Sequence, residues 1–372
     1  MAASKYKHGF RTPLCERLGI DVPIFSFSHS LEVTAAVSRA GGYGVFGSTH
    51  DEPEQILEHA RQLKEMCEGR PFGLDLLLPS VGVEKNDRAA AEAAIPQQHR
   101  DFVQKIRDKH QVPASSKQGH LFSRHVRSAE LFNAQAEAVL ASGANMFAMA
   151  VGTPPELVAR AKAAGQVTLS LIGSPRHVQH ALDAGVDLLV AQGYDAGAHT
   201  GTIGTLSLVP QIVALAGDTP VIAAGGIATG GQVAAALAMG AQGAWTGTIW
   251  LASEEHAIDP ILTDQLLHAG SEDTVISRSW SGKTLRMVRS GWSEEWSAPD
   301  APAPLKMPYQ QVLVGELNEA VNEHRIKSLM WTPAGQSVAF LREVRSVDTI
   351  MSELVEETSL ALSRAASLVC NE

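Results

Sequence analysis

Eight short apolar runs alternate with longer stretches of helical spacing, and this alternation constrains the fold more than any other feature. Most of the helical stretches between the later runs end in glycine, which commonly follows the last turn of a helix. Strands that alternate with helices form parallel sheets, and the count of eight favours a (β/α)8 TIM barrel over an open doubly wound sheet. The apolar runs lie at residues 23–27, 43–47, 72–78, 144–151, 166–172, 186–192, 220–225 and 243–248.

The chain of 372 residues is longer than such a barrel, which takes about 250 residues. Residues 80–130 form a charged, helix-like insertion after the third predicted strand. Residues 254–372 follow the eighth and include a tryptophan-containing stretch and an amphipathic C-terminal helix. We expect the barrel to occupy residues 10–253, with 254–372 as a lid that covers the substrate, because such additions usually extend the loops at the barrel mouth.

Composition and charge exclude several classes of protein. The formal net charge is −10 and there is no long basic run, so nucleic acid is not an expected partner. Cys15, Cys67 and Cys370 are far apart, which argues against a disulfide framework or zinc site, and we expect no metal. The N-terminus lacks the apolar core of a signal peptide, and glycines interrupt the uncharged tract at 219–253. We therefore expect a cytoplasmic protein without a membrane span.

Glycine-rich segments follow the seventh and eighth predicted strands, at the end where a barrel binds its ligands. Glycines allow the backbone to approach a ligand closely, and backbone N–H groups attract anions. The loops after these two strands are the usual phosphate site of a barrel. Gly225, Gly226, Gly247 and Thr248 therefore predict a phosphate cradle. The alternative is that Gly225 and Gly226 only form a tight turn.

The stretch "AQGYDAGAHTG" (191–201) places an acid and a histidine directly after the sixth predicted strand. His199 is a candidate general base or hydrogen-bond donor, because imidazole titrates near neutrality; the alternative is an ordinary loop histidine. Asp195 could orient His199 or cap the loop, and we favour the cap. His29 follows the first predicted strand, so it lies at the same rim and is the second catalytic candidate.

These segments resemble the nitronate monooxygenases, formerly called 2-nitropropane dioxygenases, and the related flavin-dependent enoyl-acyl-carrier-protein reductases. "AQGYDAGAHTGT" is similar to their strand-six motif, and "PVIAAGGIATGGQVAAALAMGAQGAWTGT" to their phosphate-binding region. "TPLCERLGIDVPIF", "AVSRAGGYGVFGS" and "RPFGLDLLLPS" resemble their first three strands. The resemblance covers most of residues 10–253 and implies a barrel that holds FMN non-covalently, with His199 near the flavin. By match, the residues that contact FMN are Asp75, Gln192, Gly197, Gly226, Trp245, Thr246, Gly247 and Thr248.

The sequence departs from the family pattern at four positions. Asp75 stands where Asn is usual, and an ionised carboxylate can only accept hydrogen bonds. Ala198 replaces the second glycine of a Gly-Gly-His triplet, and Trp245 stands where Gln is common. Ala150 stands where well-studied nitronate monooxygenases carry a histidine that is proposed as the base or nitronate ligand.

Two enzymatic functions follow from the resemblance. One is an FMN-dependent monooxygenase or oxidase that oxidises a small nitronate-like or carbanionic substrate with O2. The other is an FMN-dependent reductase or dehydrogenase that acts on an acyl-coenzyme A thioester or a related carbonyl compound, with NAD(P)H as a candidate electron donor. Chemistry like that of IMP dehydrogenase needs a cysteine on a βα loop, and the three cysteines are badly placed for it. A non-enzymatic FMN-binding protein is the remaining alternative, and assembly as a homo-oligomer stays open.

Overall fold

The chain folds into a closed barrel of eight parallel strands, which confirms the predicted fold. The computed structural model describes Tyr6 and residues 9–78, 83–116 and 125–369. The barrel has the order β1-β2-β3-β4-β5-β6-β8-β9, and β1 pairs with β9 to close it. The strands are β1 (Ile24–Ser28), β2 (Tyr43–Gly47), β3 (Phe72–Leu77), β4 (Met146–Ala150), β5 (Val167–Ile172), β6 (Leu188–Gln192), β7 (Ala198–His199), β8 (Val221–Ala224), β9 (Gly243–Thr246), β10 (Thr274–Ser277) and β11 (Leu285–Val288).

Helices surround the barrel, and local sequence signals explain where several of them begin. Ser30 and Ser128 each accept a hydrogen bond from a backbone N–H one turn into the helix that follows, which is the usual N-cap interaction. No helix among the described residues is both long and apolar enough to cross a membrane. In chain order the described α-helices are α1 (Pro13–Leu18), α2 (Leu31–Arg39), α3 (Pro53–Met66), α4 (Arg88–Ala93), α5 (Gln97–Lys109), α6 (Ala129–Ala141), α7 (Pro155–Ala163), α8 (Val178–Asp183), α9 (Thr205–Leu215), α10 (Gly230–Ala238), α11 (Pro260–His268), α12 (Gly291–Glu295), α13 (Tyr309–Glu323) and α14 (Val347–Ala366).

Helix α1 closes the amino-terminal end of the barrel. Leu14, Cys15 and Leu18 belong to the same buried cluster as the side chains that fill the barrel interior, such as Tyr43 and Met146. Because α1 immediately precedes β1, this packing seals the end of the barrel at which the strands begin. Among the described residues, this packing leaves the barrel interior open at the carboxyl ends of the strands, where ligand sites of such barrels lie.

The insertion and part of the C-terminal segment pack together into a second, smaller core. Helices α4 and α5, from the insertion, contact α13. Phe102 and Ile106 of α5 share a buried cluster with Trp292, Trp296 and Leu317. The two additions predicted from the sequence therefore form one layer. Residues 80–82 and 117–124 of the predicted insertion, together with residue 79 and Cys370, lie outside the described residues.

Helix α14 corrects the expectation that residues 254–372 act together as a lid. It packs against α10 and α2 on the outside of the barrel, and the Glu357 carboxylate accepts a hydrogen bond from the Gly230 N–H, 2.7 Å away. The helix occupies this position because only a short 3-10 turn follows β9, which leaves the outer ring incomplete between α10 and α2. Helix α14 thus takes the place of the eighth barrel helix, and residues 254–346 are a long excursion before it. Its buried apolar face consists of Val347, Ile350, Met351, Leu354 and Val355.

The close approach of α2 to β2 provides a test of the fold. A Cβ at Gly44 would collide with the backbone carbonyl oxygen of Thr34 in α2. We expect Gly44→Ala to lower the free energy of unfolding by at least about 2 kcal/mol, since neither backbone can move without disturbing the core. The control is Gly231→Ala, because a Cβ there meets only the Thr229 hydroxyl oxygen at 3.9 Å. It should leave stability unchanged or raise it by up to about 1 kcal/mol. Equal denaturant midpoints for both variants would contradict this packing.

Candidate active site

A cavity of about 2170 Å³ opens at the carboxyl ends of the barrel strands. Typical sites for small ligands measure roughly 300–1,000 Å³, so this cavity has room for a cofactor and a substrate together. Side chains from the excursion, such as Trp280 and Trp331, also line it. Their rings form an edge-to-face pair with centroids 5.8 Å apart, so part of the excursion does form a wall over the barrel mouth.

The structure brings together all but one of the residues predicted from the sequence. Thr246 is the exception, because its side chain lies in the barrel wall. Its hydroxyl donates to the Phe25 carbonyl at 2.9 Å and accepts from the indole N–H of Trp250 at 3.0 Å. The Thr246 hydroxyl is therefore engaged within the barrel wall, and the expected contact of this residue with the cofactor stays a prediction. The predicted residues that line the cavity are His29, Asp75, Gln192, Gly197, His199, Gly225, Gly226, Trp245, Gly247 and Thr248.

The glycines that follow β8 are required by the packing of the protein itself. Gly225 and Gly226 have backbone φ angles of 103° and 73°, which residues other than glycine rarely adopt. A Cβ at Gly225 would lie 2.8 Å from the Thr205 hydroxyl oxygen, and one at Gly226 would lie 2.9 Å from the Asp195 Cβ. The tight-turn alternative therefore suffices to explain why these two positions are glycine.

Gly247 is different, because the protein does not fill the space beside it. A Cβ at this position would have no described atom within 4 Å, and Gly247 lines the cavity. The neighbouring Thr248 hydroxyl oxygen accepts a hydrogen bond from the Gly335 N–H at 2.8 Å, which leaves the hydroxyl hydrogen to donate. Open space beside a turn, next to a hydroxyl donor, is suited to an anionic group such as a phosphate.

The loop after β6 is held by a cap and by the excursion. The Asp195 carboxylate accepts a hydrogen bond from the backbone N–H of Thr205, the first residue of α9, at 2.8 Å. The favoured role of Asp195 as a cap is therefore confirmed. A Cβ at Gly197 would lie 2.7 Å from the backbone of Ala334 and Gly335, so glycine is needed there for the excursion to pack against the loop.

His199 is anchored by both its backbone and its imidazole. It lies in β7, where it pairs with Leu285 of β11, and its Nε2 lies 3.2 Å from the hydroxyl of the buried Ser281. That hydroxyl also accepts from the Lys283 N–H at 3.3 Å. Burial, followed by the charges of Arg127 and Lys283, lowers the pKa of His199 to about 4. The imidazole is therefore neutral at neutral pH.

His29 lies on the other side of the mouth. Its Nδ1 is 2.8 Å from the Gly47 carbonyl oxygen, which can only accept, so we assign the ring proton to Nδ1 and leave Nε2 as an acceptor. The ring also lies against that of His50, with centroids 4.9 Å apart. The two catalytic candidates therefore reach the cavity from the loops after different barrel strands, His29 after β1 and His199 after β6.

Asp75 is a buried acid that faces the cavity from β3. It is 4% exposed, and its Oδ2 has no hydrogen-bond partner among the described residues. Burial raises the pKa of Asp75 to about 7. Because buried polar atoms are rarely left without a hydrogen bond, this carboxyl oxygen is available to a polar group of a ligand in the cavity.

Sequence reasoning missed several residues that the structure adds to the cavity. Arg127 precedes α6 and is 3% exposed, and Lys283 precedes β11 and is half-buried. Both line the cavity, as does Trp331. Neither cation lies at the end of a barrel strand, and no motif or periodicity marks them. The tryptophan-containing stretch around Lys283 is the one sequence signal near either residue.

The raised pKa of Asp75 predicts a pH-dependent effect on stability. Between pH 3.8, the ordinary pKa, and about 7, the folded protein keeps this proton and the unfolded chain loses it, so stability falls as pH rises. The loss should approach about 4 kcal/mol above pH 7. We expect Asp75→Asn to remove it, so that the variant gains stability over wild type between pH 5 and 8 in denaturant unfolding of the ligand-free protein. Asp218→Asn, at an exposed position, is the control, and an equal pH dependence in both variants would contradict the assignment.

Comparisons with known proteins agree with this fold and site. The family model described as nitronate monooxygenase matches residues 20–357. The Mycobacterium tuberculosis protein Rv1533, named as a monooxygenase, is 40% identical over 364 residues, which cover 93% of this chain and 96% of the relative. A Staphylococcus aureus protein named as a nitronate monooxygenase is 29% identical over 367 residues, with 92% and 96% of the two chains covered.

Solved structures show the same architecture. Nitroalkane oxidase from Streptomyces ansochromogenes superposes with a TM-score of 0.80 at 26% identity, over 95% of this chain and 100% of that one. FabK from Thermotoga maritima superposes with a TM-score of 0.74 at 23% identity, over 97% and 100% of the two chains; that likeness shows the fold alone. The family match spans the barrel, the insertion and most of the C-terminal segment. This chain is therefore a member of the nitronate monooxygenase family, a family of oxidoreductases.

Proposed function

We propose that this protein is an FMN-dependent oxidoreductase that oxidises a small nitronate-like or carbanionic substrate with O2. The observation that carries the proposal is the orphaned carboxyl oxygen of Asp75, buried in the wall of a cavity that also contains the open turn at Gly247. Family membership supports the oxidoreductase class. The experiments below therefore test two parts of the proposal, the identity of the cofactor and the class of substrate.

The residues of the cavity fit FMN. The space beside Gly247 and the hydroxyl hydrogen of Thr248 would hold its phosphate, after β9. Asp75, on β3, would meet the polar edge of the ring, since a carboxylate accepts from a ring N–H and a carboxylic acid donates to a ring carbonyl. The Gln192 amide donates to the His199 carbonyl at 3.0 Å, which fixes its orientation toward the cavity. When bound, FMN supplies the electron-transfer chemistry, which protein side chains lack.

The residues around the cofactor position would orient the substrate and handle its proton. A neutral His199 can accept a proton or donate a hydrogen bond. At neutral pH it carries no positive charge, so it does not attract an anion electrostatically. Its attachment to Ser281 and to β11 holds the imidazole in one orientation, which general acid–base catalysis needs. The Trp280–Trp331 pair covers part of the mouth and would limit the access of water.

The second candidate is an FMN-dependent reductase or dehydrogenase that acts on an acyl-coenzyme A thioester or a related carbonyl compound. The cavity volume favours it, because about 2170 Å³ is well above the roughly 300–1,000 Å³ of typical small-ligand sites and leaves room for a bulky substrate. Ala150 also lines the cavity at the end of β4, where the resemblance implies histidine in well-studied nitronate monooxygenases. His199 would then handle the proton that accompanies reduction of the carbonyl compound.

Anaerobic mixing distinguishes the two candidates. The purified protein is mixed without O2 with propionate 3-nitronate, NADH or NADPH, and the flavin absorbance is followed. Loss of the oxidised flavin spectrum with the nitronate alone supports the oxidase or monooxygenase. Loss with a pyridine nucleotide, followed by reoxidation with a thioester, supports the reductase. A protein whose flavin none of these reagents reduces would contradict both enzymatic proposals.

The cofactor proposal predicts a selective effect of Gly247→Asp. The added carboxylate would enter open space and leave the fold intact, but it would repel a phosphate placed there. We expect the wild-type protein to release FMN on denaturation and the variant to be folded and colourless. Mass spectrometry of the released flavin, flavin absorbance and circular dichroism provide the measurements. Gly247→Ala is the neutral control, with weakened but measurable FMN binding. Stoichiometric FMN in Gly247→Asp would place the phosphate elsewhere.

The catalytic proposal predicts that His199→Ala lowers turnover by about 10²- to 10⁴-fold, the usual contribution of general acid–base catalysis. FMN content should change little, because the proposed phosphate contacts lie in other loops. His29→Ala, at another position on the same rim, is the matched comparison and should have a smaller effect. The measurements are kcat and flavin content for both variants. Near-normal turnover in His199→Ala together with loss in His29→Ala would assign the proton-handling role to β1.

A further inference from the structure

We propose that Asp75 binds the ring of the cofactor as a neutral carboxylic acid, which donates to a ring carbonyl and accepts from the neighbouring ring N–H. This inference rests on the proposed function and deepens it, because it assigns a protonation state and a hydrogen-bond pattern to one residue of the site. Its consequence is that FMN and a proton bind together. The argument starts from the position of Asp75 in the barrel.

Asp75 points into the barrel and not toward the surrounding helices. Its neighbours on β3, Leu74 and Leu76, belong to the buried cluster that joins the strands to the helices. Side chains of a strand alternate between its two faces, so the Asp75 carboxyl group lies on the inner face. It also lines the cavity at the mouth. The group is therefore placed where the apolar barrel interior meets the ligand space.

The surroundings of Asp75 supply neither a donor for its Oδ2 nor a compensating charge. In the strand register its partners are Gly47 on β2 and Ala148 on β4, which have no polar side-chain atoms. Oδ2 has no hydrogen-bond partner, and burial is the one cause of the raised pKa of Asp75. Other titratable side chains line the same cavity without contributing to that pKa, among them His29, His50, Arg127, His199 and Lys283.

These surroundings favour the protonated form of Asp75. A buried carboxylate is costly unless a cation or several hydrogen-bond donors compensate its charge, and neither is present at Oδ2. A proton on the carboxyl group removes that cost. A ring bound in the cavity would exclude more water from Asp75, which disfavours the charged form further. Asp75 therefore meets a ligand as an acid.

The acid form also suits the chemistry of a flavin ring. A carboxylic acid offers one donor beside one acceptor, whereas a carboxylate offers acceptors alone. The imide edge of the flavin ring presents an N–H between two carbonyl groups. The acid can pair with the N–H and a carbonyl together, but a carboxylate would set its second oxygen against a carbonyl oxygen. An Asn amide also offers one donor beside one acceptor, so Asp75→Asn should mimic the acid at every pH.

The test measures the Kd of FMN against pH in the wild-type protein and in Asp75→Asn. Each holoenzyme is diluted at a series of pH values, and the fluorescence of the released FMN gives the Kd. Because the acid form binds, the Kd of the wild type should rise by up to about 10-fold per pH unit above the pKa of Asp75, which is about 7. Asp75→Asn should lack this rise and keep a Kd close to that of the wild type at low pH. The FMN phosphate titrates near pH 6, equally in both proteins.

Two controls accompany the titration. Asp218→Asn removes an exposed carboxyl group and should keep the pH dependence of the wild type. Asp75→Ala, which offers neither donor nor acceptor, should raise the Kd by about 10-fold or more even at low pH. Circular dichroism verifies the fold of each variant.

A modified cofactor tests the hydrogen-bond pattern without any substitution in the protein. In 3-methyl-FMN a methyl group replaces the hydrogen of the ring N–H. The wild-type protein at low pH should bind it about 10-fold or more less tightly than FMN, since the acceptor of the acid loses its partner. This measurement and the pH profile of the wild type decide the test if a variant at position 75 does not fold.

The outcomes separate this inference from the proposed function. FMN that binds with the same pH dependence in wild type and Asp75→Asn, or 3-methyl-FMN that binds as tightly as FMN, would overturn the inference alone. A Kd that falls as pH rises in the wild type but not in Asp75→Asn would also overturn it, because the ionised carboxylate would then hold the ring. A wild-type protein that binds no FMN at any pH would overturn the proposed cofactor and this inference together. The expected pH dependence without turnover of a nitronate would support the inference and overturn the proposed substrate.

Discussion

The hydrogen-bonded pairing of β1 with β9 is the interaction on which the rest of the structure depends. It closes the parallel sheet, and closure brings the carboxyl ends of all eight barrel strands to one rim. Helix α1 seals the other end by packing into the barrel interior. These two features leave one face at which strand ends, loops and a large cavity coincide, and every candidate functional residue except Thr246 lines that cavity.

The excursion between β9 and α14 turns this rim into an enclosed site. Helix α14 completes the outer ring against α10 and α2, so residues 254–346 can leave the barrel and return to it without breaking the ring. The excursion builds its own core with α5 and adds β10 and β11 to β7. The short β7–β11 pairing then holds His199 and brings Ser281 and Lys283 beside it. The position of the catalytic candidate therefore depends on contacts from outside the barrel.

Burial shifts the pKa values of ionisable groups in the cavity in different directions. It lowers the pKa of His199 and of Arg127 and raises that of Asp75. Burial keeps His199 neutral and favours the protonated form of Asp75 near neutral pH, while Arg127 stays charged. A ligand that satisfies the orphaned oxygen of Asp75 would stabilise a dehydrated cavity of this kind. Perturbed ionisation of several groups in one cleft is typical of functional sites.

The sequence by itself determined the barrel, the strand positions and most of the cavity lining, because local patterns encode them. Alternating apolar runs identify the strands, and residues such as Gln192, Gly226 and Gly247 line the mouth because they lie at or just after strand ends. Only the tertiary structure decided the rest. Thr246 turns into the wall through its hydrogen bond to Phe25, α14 becomes a barrel helix, and Arg127 and Lys283, more than 150 residues apart in sequence, line one cavity. Such placements depend on which distant surfaces bury each other, and no local pattern in the chain records that.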